Sequence, residues 1–331
     1  MKLGLVLGSE YRAREKTDGR LHAILEQVAV ARDYGFDAVF AGQHFLSDPL
    51  QTLQPVPLLA RVAAEAGDMH VGTGIMLLPL LHPVEVAEQI ATLDTICGGR
   101  FIFGVGLGYE EEEFAAFGLR RADRVGRFEE SLEIIKRLWT EDEVTFHGDH
   151  FHLEHVVPTA RPLATPRPPI WIAANNNPAV RRAARMADGW FANPHGLIST
   201  LEEQMSVYKA ALDDPEAERD MPVMREVFVG ETRAEALAAG RPGLERRYGV
   251  YVDQGQDEAQ PEGDRFDMPF EELVTDRFIV GNPDEVVREI RRYEAIGFNY
   301  LVADVQPMDT DDAAAMRFLH LLGREVLPRI R

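Results

Sequence analysis

Cysteine, positive charge and long apolar runs are all scarce in this chain. One cysteine, Cys97, among 331 residues excludes an intrachain disulfide and any multi-cysteine metal centre, and accords with a reducing compartment. No stretch approaches the roughly 18 continuous apolar residues of a membrane helix. The opening MKLGLVLGSEYRAREK carries an apolar run of about six residues, short of the roughly 7–15 of a secretory signal. It reads instead as a first β-strand, so a cytoplasmic protein without a membrane partner is expected. Basic residues number 35 against 55 acidic ones, a formal charge of −20. Such a chain repels a phosphate backbone as a whole, so no nucleic-acid partner is expected, although a local basic pocket can still hold one phosphate.

What the chain does have is alternation. Short apolar runs take turns with amphipathic segments, the pattern of βα units on a parallel sheet. Leu3 to Leu7 reads as a strand, Asp18 to Tyr34 as a helix stopped by Gly35, and Asp37 to Ala41 as a second strand. A helix over Pro55 to Ala66 and a third strand over Val71 to Leu77 follow. Val86, Ala87, Ile90 and Leu93 recur at helical spacing between Pro83 and Cys97, with Gly98-Gly99 as the stop. Phe101 to Val105, Ile170 to Ala173, Gly189 to Ala192, Val227 to Val229 and Leu301 to Ala303 read as further strands, with a closing helix over Asp312 to Val326. Right-handed βα units of this kind close into a (β/α)8 TIM barrel, with an open doubly wound sheet as the alternative. No composition shift divides the chain, so residues 1–331 are read as a single domain with loop insertions. One insertion is a hairpin at about 143–153 around Gly148-Asp149. Another is the polar stretch 253–267, expected to be a lid or mobile loop.

Several constellations carry chemistry. Gly104, Gly106 and Gly108 follow a strand, but Tyr109 stands where a dinucleotide fingerprint needs its third glycine. Absent side chains there let a flat ring approach the barrel mouth. Asn175-Asn176-Asn177-Pro178 precedes a helix start near Ala179, whose free N–H groups and positive dipole end suit a phosphate. His44 lies just past the second strand, at the rim where barrel enzymes keep their chemistry. Glu110 to Glu113 could supply a general base and read more simply as a solvated helix start favoured by the dipole. His147, His150, His152 and His155 read as a hydrated hairpin surface, and no metal is expected.

Taken together, these segments resemble the bacterial luciferase-like flavin oxidoreductases over nearly the whole chain. The likeness rests on Gln43-His44-Phe45, on VGTGIMLLPLLHPVEVAEQIATLD at 71–94, on GGRFIFGVGLGY, on PPIWIAANN, on the DGW at 188–190, and on FIVGNPDEVVREIRRYEAIGFNYLV at 278–302. The resemblance implies a flavin at the C-terminal mouth of a luciferase-like barrel, with His44 catalytic and Gln43 beside it. It further implies a bulge at Gly74-Ile75, often a non-prolyl cis peptide, behind the ring, and Gly106 against the ring. The phosphate would fall to Ala174, Asn175, Asn176 and Asn177, with Arg124 as partner. Two positions depart from the family pattern: Gln43 replaces a glutamate, and Leu107 stands where luciferases have a phosphate-binding arginine.

From this resemblance the expected function is a two-component monooxygenase. It would use reduced FMN from a separate flavin reductase, and O2, on a small organic substrate. The alternatives are hydride transfer with deazaflavin F420 on the same rim, and a flavin-binding protein without turnover. A homodimer is implied by the family.

Overall fold

The computed structural model describes residues 1–12, 16–17, 19–46, 48–257, 260–308 and 310–331. Asp18, at which the sequence begins its first helix, and Glu258 and Ala259 of the 253–267 stretch lie outside the described residues.

Eight parallel strands form the barrel: β1 (Lys2–Val6), β2 (Ala38–Ala41), β3 (His70–Thr73), β4 (Phe101–Gly106), β5 (Ile170–Ala174), β6 (Gly189–Ala192), β7 (Pro222–Val229) and β8 (Tyr300–Asp304). They pair in ring order, with β1 between β8 and β2, and β5 on β4 closes the ring through Ile170 opposite Phe103. Helices join successive strands, so the sheet is covered outside and filled inside. That is why β2, β4 and β6 are buried at every residue instead of alternating. Inside, Phe40 stacks on Trp171 with centroids 5.4 Å apart, and Trp171 meets Tyr300 edge-on at 5.1 Å. Glycine makes room for this aromatic column: a Cβ on Gly72 would stand 2.7 Å from Phe40.

Helix ends follow local chemistry. Asn282 caps the helix Pro283–Ile296 in a capping box with Glu285, and Gly297, with φ 118°, ends it. Three stretches go beyond the sequence reading. The third strand, read as continuous over Val71 to Leu77, is broken at the position the resemblance implies: after Thr73 comes a cis peptide between Gly74 and Ile75, and only Met76–Leu77 resumes pairing. A helix over Arg233–Asp253 was hidden by Gly240, Pro242 and Gly243, residues that score against helix. Two of them are needed for contact, since a Cβ on Gly240 would meet Phe228 at 2.8 Å and one on Gly243 the Met308 carbonyl at 2.6 Å. The closing helix runs Asp312–Leu321, continues as a wider turn over Leu322–Val326 and extends past the predicted end through Leu327–Ile330.

The antiparallel pair Val144–His147 and His152–Val156 stands on the barrel wall. Its histidines face carboxylates at the surface, His147 with Glu154 at 3.4 Å and His155 with Glu143 at 2.7 Å. No helix among the described residues is long and apolar enough to cross a membrane.

Candidate active site

The strands' C-terminal ends surround a cavity of about 310 Å³, within the usual range for small-molecule sites. A hollow at the opposite end, lined by Lys2, Asp37 and His70, sits where barrels keep stabilising contacts.

His44 reaches the cavity from the loop after β2. Its Nδ1 lies 3.3 Å from Glu113 Oε1 and 3.4 Å from Glu110 Oε1. Glu113 Oε1 also accepts from the Phe45 backbone N–H at 2.7 Å, which fixes the carboxylate under the imidazole. The reading of Glu110 to Glu113 as a solvated helix start is therefore corrected. Glu111 and Glu112 are exposed, whereas Glu110 and Glu113, one turn apart on the same face, are buried against His44. The carboxylate that Gln43 does not supply comes from Glu113, on the short helix Glu111–Ala116 after β4.

This arrangement sets the proton chemistry. Burial works against charge on His44, but the hydrogen bond to Glu113 and the charges of Glu10, Glu113 and Glu110 outweigh it and push the imidazole up to about 9. Burial raises Glu110 to about 7, with His44 pulling the other way. At neutral pH the ring is thus an imidazolium backed by carboxylate, a proton held at the cavity wall. Among the described residues, His44, Glu110 and Glu113 are also the one set of donors close enough for a metal ion, all within 4.8 Å.

Gln43 is buried and engaged at both ends of its amide. Its Oε1 accepts from the Leu77 N–H at 2.9 Å and its Nε2 donates to Gln54 Oε1 at 3.3 Å. Gln54 in turn donates to the His44 carbonyl at 2.8 Å. Gln43 thus ties the bulge at Gly74-Ile75 to the loop that carries His44.

Across the cavity, Gly74, Ile75 and Gly106 form one side of the lining, and Ala173, Ala174, Asn175, Asn176 and Arg124 lie along it toward the mouth. A Cβ on Gly106 would meet Ile75 Cδ1 at 2.5 Å, so glycine there lets Ile75 lie flat. Asn176 caps the helix Asn177–Met186, accepting from Ala179 N at 3.1 Å. Asn177 is that helix's first residue and is not part of the lining. Arg124 begins the helix Arg124–Thr140 and donates to the Arg121 carbonyl at 3.1 Å. Burial and the charges of Arg121 and Arg182 lower its pKa, as expected where cations gather for an anion.

The inner end was not legible from sequence. Glu10, Asn193, His195, Arg247, Tyr251, Gln256, Asp304 and Gln306 complete the lining. Arg247 pairs with Asp304 and lies 3.8 Å from both Glu10 and Glu226. Burial and then the charges of Arg277, Arg225 and Arg247 push His195 down to about 3, so it is neutral. Arg277 donates to the carbonyls of His195, at 2.7 Å, and of Asp264, at 2.9 Å. It fastens the loop after β6 to the 254–267 segment, within which Phe266 N donates to Asp257 Oδ1 at 2.6 Å.

The family model for luciferase-like monooxygenases matches residues 1–300. An F420-dependent glucose-6-phosphate dehydrogenase of Nakamurella multipartita is 30% identical, over 93% of this chain and 92% of its own. The crystal structure of monooxygenase RslO1 from Streptomyces bottropensis superposes with a TM-score of 0.85 at 25% identity, covering both chains fully. The fold is shared as well with an F420-dependent secondary alcohol dehydrogenase solved with an F420–acetone adduct, at a TM-score of 0.78 and 20% identity over 100% of this chain and 99% of that one. The chain belongs to the luciferase-like monooxygenase family and is an oxidoreductase built on its barrel.

Proposed function

We propose that this protein is an F420-dependent oxidoreductase, interconverting a small alcohol and its carbonyl compound, with His44 as acid and base. This departs from the FMN monooxygenase expected from sequence, because the curated relatives with F420 in their names cover nearly the whole chain. One observation carries the reading: His44 Nδ1 within 3.4 Å of the buried carboxyl groups of Glu110 and Glu113 at the cavity wall, in a lining shared with Gly74 and Ile75. The deazaflavin, when bound, supplies or accepts the hydride. The chain's own residues then have three tasks.

Ile75, Gly106 and Ala173 offer a smooth surface for a flat ring. Arg124 and the N–H groups at the start of Asn177–Met186 face the mouth, where an anionic tail would lie. His44 balances the proton: as hydride leaves the carbinol carbon, the hydroxyl proton passes to neutral His44, and in reduction imidazolium returns it to the oxygen. Gln43 positions, through Leu77 and Gln54, and does not react. A soluble cytoplasmic homodimer is part of this proposal, and its mass in solution tests it.

A second reading is favoured by the likeness to monooxygenase RslO1: reduced FMN and O2, with a separate flavin reductase. Titration of the purified protein with F420, and anaerobically with reduced FMN, separates the two. Saturable F420 binding, followed by alcohol-dependent loss of oxidised F420 absorbance, is the expected result. Binding of reduced FMN alone, with oxygen consumed in the presence of substrate, would replace hydride transfer by oxygenation.

A further inference from the structure

The inner end of the cavity has the wrong charge for the substrate named for several relatives. We propose that the substrate is an uncharged or cationic hydroxyl compound, and that phosphate esters and carboxylates are rejected because each cation at the inner end is already matched. This rests on the hydride-transfer reading for the reaction, but the charge argument holds for any small molecule entering there.

Among the described residues, four lining side chains can be cationic: His44, Arg124, His195 and Arg247. Arg124 lines the cavity with Asn175 and Asn176, where the cofactor's phosphate would lie. His44 is matched by Glu110 and Glu113. Arg247 is matched by Asp304 and flanked by Glu10 and Glu226. His195 is neutral, its Nε2 3.0 Å from Gln256 Nε2. Behind the wall, Arg225 is spent on Tyr293 Oη and on the carbonyls of Asn193 and Gly196. Arg277 is spent on loop carbonyls. Arg247 lies against Asp304 and Glu10, with Glu226, which burial pushes up to about 7, at 3.8 Å, and His44 lies against Glu113 and Glu110. A dianionic phosphate entering there would compete with Asp304, Glu10 and Glu113 for the same cations, with no guanidinium whose charge is unmatched.

The polar atoms left over point to a hydroxyl. Arg247 Nε is a buried donor and Gln256 Oε1 a buried acceptor, both without a protein partner and both on residues lining the cavity. Both atoms are covered in this structure; a small side-chain shift would bring them to a hydroxyl, which donates and accepts, whereas a phosphate dianion only accepts. Glu10, its side chain 23% exposed, presents a further carboxylate to a hydroxyl or ammonium group.

The test is calorimetric titration of inorganic phosphate and of glucose 6-phosphate into the full-length protein, loaded with whichever cofactor it binds, at low ionic strength. Wild type is expected to give no saturable heat with either probe at millimolar concentration. Asp304→Asn, which releases Arg247, is expected to bind both at least tenfold more tightly, with the gain lost in high salt. Should circular dichroism show that this variant does not fold, Glu10→Gln is the substitute, with a gain in the same direction. Saturable binding or turnover of glucose 6-phosphate by wild type would overturn the proposal. So would a folded variant that gains no phosphate affinity. The readout needs no hydride transfer, so a protein that takes FMN instead of F420 refutes the reaction assigned above and leaves this measurement decisive.

Discussion

Replacing Glu113 by glutamine perturbs the proton chemistry with little cost to the fold. The amide oxygen can still accept from the Phe45 N–H, which lies 2.7 Å from the present carboxylate, but the charge under His44 disappears. His44 stands at about 9 against an ordinary value of about 6.5. In the direction of carbonyl reduction the protonated ring is needed, so kcat/KM should be flat below about 9 and fall above it. In the direction of alcohol oxidation the neutral ring is needed, and kcat/KM should climb with pH through the same point. At about pH 8 the wild-type imidazole is roughly 90% protonated, and a ring returned fully to its ordinary value would be roughly 3% protonated. Reduction by Glu113→Gln at that pH should therefore drop by up to about thirtyfold, less to the extent that Glu10 and Glu110 continue to hold the charge. The oxidation limb should shift to lower pH at the same time. Initial rates followed by cofactor absorbance across pH 6–10, in both directions, make the measurement. A Glu113→Gln profile superimposable on wild type would refute the assignment of His44 as the titrating group.

The same displacement bears on stability. A histidine raised above its unfolded value stabilises the fold fully below about 6.5, and the contribution is lost as pH rises through about 9. The difference corresponds to about 3 kcal/mol, and His44 keeps a side-chain exposure of only 22%, so screening by solvent is modest.

Two further outcomes follow from the cavity lining and the barrel beneath it. Arg124→Gln should weaken cofactor binding by about tenfold to a hundredfold, as expected for loss of a charge-assisted contact. The rate at saturating cofactor should be nearly unchanged, and fluorescence titration separates affinity from turnover. Gly104→Ala should destabilise the barrel by about 1–3 kcal/mol or more, because its Cβ would fall 2.0 Å from the Thr73 backbone carbonyl, which cannot swing aside. A urea midpoint equal to wild type would refute that account.

How much of this was legible in the sequence depends on how local each signal is. The barrel strands announced themselves because nearly all of their residues are buried, leaving plain apolar runs such as Phe101–Gly106. The break after Thr73 was visible through the family resemblance alone, since Gly-Ile by itself signals nothing. The helix Arg233–Asp253 was obscured because its Gly and Pro answer to neighbours distant in the chain. His44 was placed at the rim by its position after a strand. Its acidic partners were not identified, because four consecutive glutamates look alike until the helical turn separates 110 and 113 from 111 and 112. Likewise, Arg247, Asp304 and Glu226 come from three separate elements, and no spacing in the chain joins them.

Arg277 carries a consequence for how such a site could be altered. One guanidinium grips carbonyls from the loop after β6 and from the segment holding Asp264, two stretches separated by more than 60 residues. They behave as one mechanical part, although the chain writes them as two. Exchanging residues 254–267 alone, to borrow another protein's specificity, would leave the donors of Arg277 facing carbonyls in new places and loosen the wall that bears His195. A working transplant must move both loops and the arginine together, as a single interchangeable cassette.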